Sequence, residues 1–131
     1  MRRALVLLAA LAQLWCGGAQ KRKAPRPPDV RVVEVKCHRS ERLITVDGRV
    51  VNTGARPIAK LILIFHFRTT DGQVITTQRG GVAEEVLSPG EGSEFNWQIK
   101  DHARAVEVII EAVDGSGRDL TVARPGPYPV E

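Results

Sequence analysis

The chain has little sulfur and few aromatic rings. Its 131 residues hold two cysteines, one methionine and 5% Phe, Trp and Tyr. Of the cysteines, Cys16 lies in an amino-terminal apolar stretch and Cys37 beyond it. If cleavage removes that stretch, Cys37 stands alone, which excludes an intrachain disulfide and any sandwich clamped by an intersheet bridge. The three histidines, His38, His66 and His102, show neither an HxH nor an HxxxH spacing, so the sequence writes no zinc or copper ligand set. No Gly-x-Ser-x-Gly motif occurs, and Ser40, Ser88, Ser93 and Ser116 stand in turn contexts, where a hydroxyl bonds backbone rather than attacking substrate. No apolar run reaches the roughly 20 residues of a membrane helix. From these absences we expect no catalytic, cofactor-binding or metal-binding residue.

Net charge is +4, but it is unevenly placed. Without Arg2, Arg3, Lys21, Arg22, Lys23 and Arg26, the remaining basic residues number 13 against 15 acidic ones. The basic character therefore belongs to the amino-terminal segment. A nucleic-acid-binding domain needs its basic face on the fold itself, so that function is not expected.

Residues 1–19 open with Arg2 and Arg3 and continue through an apolar run from Ala4 to Trp15. They end in Gly17, Gly18 and Ala19. This is the order of a secretory signal, with cleavage expected between Ala19 and Gln20 and an exported product, periplasmic or extracellular. Retention as an amino-terminal anchor is the alternative. Lipidation at Cys16 is a third reading, against which stands the bulky Trp15. Residues 20–29 are basic and proline-rich and read as a stiff spacer. Its other reading is a weak membrane-surface contact through Lys21, Arg22, Lys23 and Arg26.

From residue 30 onward apolar and polar residues alternate in short runs separated by turn signals. Strands are expected over 30–37, 42–52, 59–70, 73–78, 82–87, 94–100, 104–114 and 119–123. Gly48, mid-strand, predicts a bulge or a close backbone approach. Asn52 and Gly54 suit positive φ in a loop that Pro57 closes. Asp71-Gly72 predicts a two-residue hairpin turn with positive φ at both positions. Ile44, Val46, Leu61, Leu63, Phe65, Phe67, Phe95, Trp97, Val108 and Ile110 fall on inward faces, Val33 and Val106 with them. Residues 124–131 read as a proline-rich extended tail. The expected fold is an all-β, immunoglobulin-like antiparallel β-sandwich of seven to eight strands over residues 30–123, with no intrachain disulfide.

The strand carrying GRVVNTG, the long apolar strand ending near Asp71-Gly72, and the Pro89-Gly90-Glu91 turn leading into EFNW resemble the bacterial FxLYD-type domain. Gly48, Val50, Asn52, Phe65, Pro89 and Phe95 fit its pattern, while Arg68, Thr69 and Thr70 depart from the namesake aromatic segment. The resemblance covers roughly residues 31–113. It implies a small immunoglobulin-like sandwich in the cell envelope and no catalytic residue.

Three classes of function follow. The first is a non-enzymatic binding module that contacts an envelope or secreted protein by a sheet face or edge strand. Ile62, Ile64 and Ile109, on the outward face, are its candidate contact patch, unless the carboxy-terminal segment with Tyr128 covers them. The second is a periplasmic carrier of a small ligand or metal ion, using Asp114, Ser116 and Asp119 in DGSGRD or a cavity between the sheets. The third, an enzyme, has no constellation in the sequence to support it. Cys37 is either a buried small hydrophobe or an exposed reactive thiol.

Overall fold

The computed structural model describes residues 27–131. The expected signal with its cleavage point at Ala19 and Gln20, Cys16, and the basic side chains of Lys21, Arg22, Lys23 and Arg26 lie outside the described residues. Eleven strands follow one another: β1 (Val30–Ser40), β2 (Leu43–Asn52), β3 (Ile58–Ala59), β4 (Ile62–Arg68), β5 (Val74–Gly81), β6 (Val86–Leu87), β7 (Gly92–Lys100), β8 (Glu107–Val113), β9 (Asp119–Leu120), β10 (Val122–Ala123) and β11 (Tyr128–Pro129). No helix occurs among the described residues. One sheet runs β10-β1-β2-β7 and the other β11-β8-β4-β5, with β9 also on β8; β3 and β6 pair separately. The fold is an all-β sandwich with no disulfide at Cys37. The strand count exceeds the expected seven to eight because five two-residue pieces join the long strands. All pairings are antiparallel except β1 with β10, which is parallel.

Alternation drives the packing, because successive strand residues face opposite sides and one side is apolar. Ile44, Val46, Leu61, Leu63, Phe65, Phe67, Phe95, Val108 and Ile110 are buried as expected. Phe65 and Phe95, one from each sheet, meet with ring centroids 5.8 Å apart. Fully burying each such side chain contributes roughly 1.5–3 kcal/mol before conformational entropy.

Several local expectations are corrected. In β1 the buried residues are Val30 and Val32, then Cys37. Val33 is half-buried, because the register with β2 slips between Val33 and Lys36. Glu34, at φ 55°, takes up the extra residue of this bulge, so the inward phase changes from even to odd. Gly48 permits it: a Cβ there would lie 2.9 Å from Phe95 Cζ and 3.1 Å from Val33 O.

The expected strand over 59–70 is broken at Lys60, whose φ is 53°. Ile58–Ala59 pairs with β6, and the chain then crosses to the sheet of β8 and β5. The 82–87 strand shrinks to Val86–Leu87. The strand expected from 104 begins at Glu107, and Val106 is exposed while Ala105 is fully buried. Arg39 causes this by donating to the Ala105 and His102 carbonyls and to the Asp101 carboxylate, which fixes the loop before β8. Only Gly72 of the Asp71-Gly72 pair has positive φ. Thr69 N–H donates to Gln73 O and Gly72 N–H to Thr69 O. This is a three-residue hairpin loop, a type I turn followed by a left-handed glycine.

Asn52 and Gly54 do not use positive φ either. The Asn52 side chain makes the corner instead. Its Nδ2 donates to Leu87 O and Arg56 O, both at 2.8 Å, and its Oδ1 accepts from Gly54 N–H at 2.9 Å. The residue is 1% exposed, so each of these groups depends on it for a partner. Asn52→Ala removes that partner from two carbonyls and one amide, and destabilises the domain by about 2–4 kcal/mol. Urea unfolding with an unchanged m-value would measure it.

The proline-rich tail of residues 124–131 is integrated into the fold. Tyr128 pairs with Val108 and Pro129 with Glu107. Ile110 N–H donates to Pro125 O, Glu131 N–H to Cys37 O and Arg39 N–H to Glu131 O. The segment thus bridges the β8 edge of one sheet to β1 of the other and seals that side of the sandwich.

Candidate functional site

Most side chains with chemical potential are engaged in structural bonds. His66 Nδ1 lies 3.0 Å from Thr77 Oγ1 and its Nε2 2.8 Å from Glu111 Oε1, on the outward face of β4. His102 Nδ1 accepts from Arg104 N–H, and its neighbour Asp101 pairs with Arg39 instead. Ser93 Oγ accepts from Glu84 N–H. In DGSGRD, the Asp114 carboxylate accepts from the Ser116 hydroxyl and from the Ser116 and Arg118 amides, and closes the turn between β8 and β9. Asp119 is instead a β9 strand residue paired with Val113. Among the described residues, no three His, Cys, Asp or Glu side chains are grouped to hold a metal ion.

The three outward isoleucines of the expected contact patch, Ile62, Ile64 and Ile109, are partly covered. Ile64 is 8% exposed, and Ile62 and Ile109 are half-buried. Ile64 sits in register between Arg79 and Glu111, whose long side chains can shield it. With Leu120, Val122 and Pro125, Ile64 and Ile109 line a hollow of about 390 Å³. Pro125 of the carboxy-terminal segment lines that hollow, while Tyr128 pairs with Val108 at the β8 edge, its hydroxyl donating to Arg124 O.

A larger concavity lies elsewhere, across β1, β2 and β7. Its volume is about 900 Å³, and Glu34, Lys36, Asp47, Arg49, Glu94 and Asn96 line it, with Gly48 among them and Trp97 toward β7. Register places Lys36, Asp47 and Asn96 in one cross-strand row and Arg49 with Glu94 in the next. The β1 bulge contributes Glu34 in left-handed backbone, a conformation that costs a non-glycine residue energy and that often re-aims a side chain. Gly92 leaves room for Arg49, since a Cβ there would fall 2.7 Å from the guanidinium Nε. Glu34, Lys36, Asp47, Arg49 and Glu94 form no ion pair among the described residues. Arg39, Arg68, His66 and Arg118, by contrast, are each paired with a carboxylate. Alternation alone marked these groove residues as outward. Their assembly required the cross-strand register, which no local pattern encodes, and the β1 bulge, whose local sign is Gly48 opposite it.

Cys37 is buried, 5% exposed. Burial, with Asp47 and Glu131 nearby, pushes its thiol up to about 12. A thiol held that high is almost wholly protonated at neutral pH and a poor nucleophile. Tyr128, Pro129 and Glu131 line the hollow over it. Ellman's reagent at pH 8 should therefore leave native Cys37 unmodified and react once the protein unfolds. Deleting residues 124–131 should restore reaction in the folded state.

Hydrogen bonds from the Ser116 hydroxyl and the Arg118 amide hold the Asp114 carboxyl down, at about 2 against an ordinary 3.8. The folded value lies below the unfolded one, so the stabilisation is complete above the ordinary value and is lost as pH falls toward 2. Asp114→Ala should lower Tm at pH 7, and the difference from wild type should close by about pH 2 in thermal melts across that range.

No family model matches the chain, and no curated protein matches it. Among solved structures it is similar to beta-glucuronidase 2 from Bacteroides uniformis, at 14% identity and a TM-score of 0.54, over 72% of this chain and 14% of that one. A second Bacteroides uniformis beta-glucuronidase structure gives the same values. The C-terminal domain of Wzt is similar at 10% identity and a TM-score of 0.53, over 79% of this chain and 68% of that one. The chain thus spans about 14% of the length of the glucuronidases. At these identities the likeness defines the class of fold, a β-sandwich.

Proposed function

We propose that this chain is an exported, non-enzymatic β-sandwich module of immunoglobulin-like, FxLYD-type character. It binds another envelope or secreted protein through the groove across β1, β2 and β7. The observation that carries this reading is the set of unpaired charges in the groove. Solvent-accessible charges that find no partner within the domain, here from half-buried Asp47 and Arg49 to exposed Glu34, Lys36 and Glu94, are available to one outside it. Their signs are mixed: Glu34, Asp47 and Glu94 against Lys36 and Arg49. A polyanion such as nucleic acid calls for a uniformly basic face, whereas a polypeptide surface supplies both signs. The non-enzymatic reading is supported by the turn and loop hydrogen bonds that engage His102, Ser93 and Asp114 within the fold.

A photocrosslinking side chain at Asn96 tests the reading in intact cells. The wild-type groove should yield a discrete protein adduct. The variant carrying Asp47→Lys and Arg49→Glu should lower its yield about tenfold, since misplaced interfacial charge costs more than 1 kcal/mol. An adduct formed equally by both would overturn the reading, as would turnover of any hydrolase substrate lost on Asn96→Ala.

A further inference from the structure

β7 ends its sheet. In an antiparallel pair, residues whose backbone groups face the partner alternate with residues whose groups face away. Asn52 N–H donates to Glu91 O and Asp101 N–H to Arg42 O, which puts the odd-numbered positions of β7 toward β2. The even-numbered positions face the open edge, and Glu94 O there accepts from Ala83 N–H at 3.3 Å. Beyond Glu94, no bond is made on that edge by the backbone of Asn96, Gln98 or Lys100 among the described residues. Their side chains are exposed. Unpaired edges of this kind are templates for another strand.

The sequence of this edge identifies the strand it fits. Glu94-Phe95-Asn96-Trp97-Gln98-Ile99-Lys100 reads as a chemical palindrome about Trp97: amide mirrors amide, apolar mirrors apolar, acid mirrors base. A two-fold axis at Trp97 sets Asn96 opposite the partner's Gln98 and Glu94 opposite the partner's Lys100. The pairing joins even positions to even ones, so hydrogen-bonding phase and side-chain face both agree. An axis at Asn96 would set Glu94 against Gln98 and strand the lysine. An axis at Gln98 would set Asn96 against the lysine.

We propose that a second copy of this chain docks on β7, antiparallel and centred on Trp97, so that the two sheets become continuous. Asn96 and the partner's Gln98 exchange backbone hydrogen bonds on both sides of the axis, an isologous contact. Ala83 already occupies the Glu94 carbonyl, so the partner's Lys100 reaches Glu94 through its side chain. The axis lies beside Trp97, toward which the groove runs, so pairing sets the two grooves next to each other. This self-association stands whether or not the groove binds a foreign protein.

Sedimentation equilibrium of the purified protein tests it, at loadings up to about 1 mM because a contact this small belongs with weak interfaces. A reversible monomer–dimer equilibrium is expected. Gln98→Pro removes an edge amide that β2 does not use and should leave a folded monomer. Lys100→Glu sets like charges opposite each other twice and should weaken the dimer about tenfold. Glu94→Lys combined with Lys100→Glu should restore it to within about threefold. A wild-type protein that stays monomeric, or a dimer indifferent to the charge changes, overturns the proposal. The charge pair decides the matter even if Gln98→Pro fails to fold.

Discussion

The Trp97 indole lies so close to Gly80 that a Cβ on that glycine would fall 2.0 Å from its ring. Its Nε1 donates to the Gly81 carbonyl at 3.2 Å. Two stacked sheets leave two open sides, and each must be kept dry for the apolar layer between them to count. On the side of β5 and β7, the closure is this indole laid across the gap, with room from the glycine on β5, together with the segment after β5, whose Ala83 and Glu84 amides donate to Glu94 O and Ser93 Oγ on β7. On the opposite side, the closure is a length of backbone: β9, β10 and β11, paired in turn to β8, β1 and β8. The first device leaves the β7 edge open beyond Glu94, and the second removes the edges it covers. The chemistry available to the molecule follows from this asymmetry.

The second constraint is the crossing of Phe95 beneath Gly48. Phe95 must reach Phe65 across the core, and only a residue without a side chain at position 48 lets it. The same vacancy admits the bulge of β1, which resets the strand so that Cys37 enters the core after Val30 and Val32. A change made for packing on the inner face thereby shapes the outer one. It turns Glu34 out in left-handed backbone and helps form the concavity where the unpaired charges collect. Core and groove are two sides of one local irregularity.

Residues with a strict local period were legible in the sequence. The inward sets of β2, β4 and β7 follow from alternation, and the turns at Asp71-Gly72 and Pro89-Gly90 from residues that terminate strands. What alternation misses is whatever depends on partners distant in the chain. Asn52 reads locally as a residue tolerant of positive φ, yet its role is to bond Leu87 and Arg56. Ala105 looks incidental until Arg39 fixes its loop. The tail, rich in proline, reads as extended, but nothing in its composition announces the edge it joins, the pairing of Tyr128 with Val108. Ile62, Ile64 and Ile109 fall on an outward face by parity, but parity says nothing of the neighbours that half-cover them.

The groove illustrates the limit most directly. Each of its charged residues is an ordinary outward residue of a strand, with no spacing or motif to single it out. Cross-strand order brings three carboxylates and two cations together in one concavity, and no ion pair forms among them. Opposite charges in adjacent positions of a sheet ordinarily stabilise it by a few tenths of a kcal/mol. Lys36 with Asp47, and Arg49 with Glu94, stand in such positions and do not close. Arg49 instead lies over Gly92, held by shape rather than by charge. Left open, the two pairs keep both signs in one concavity.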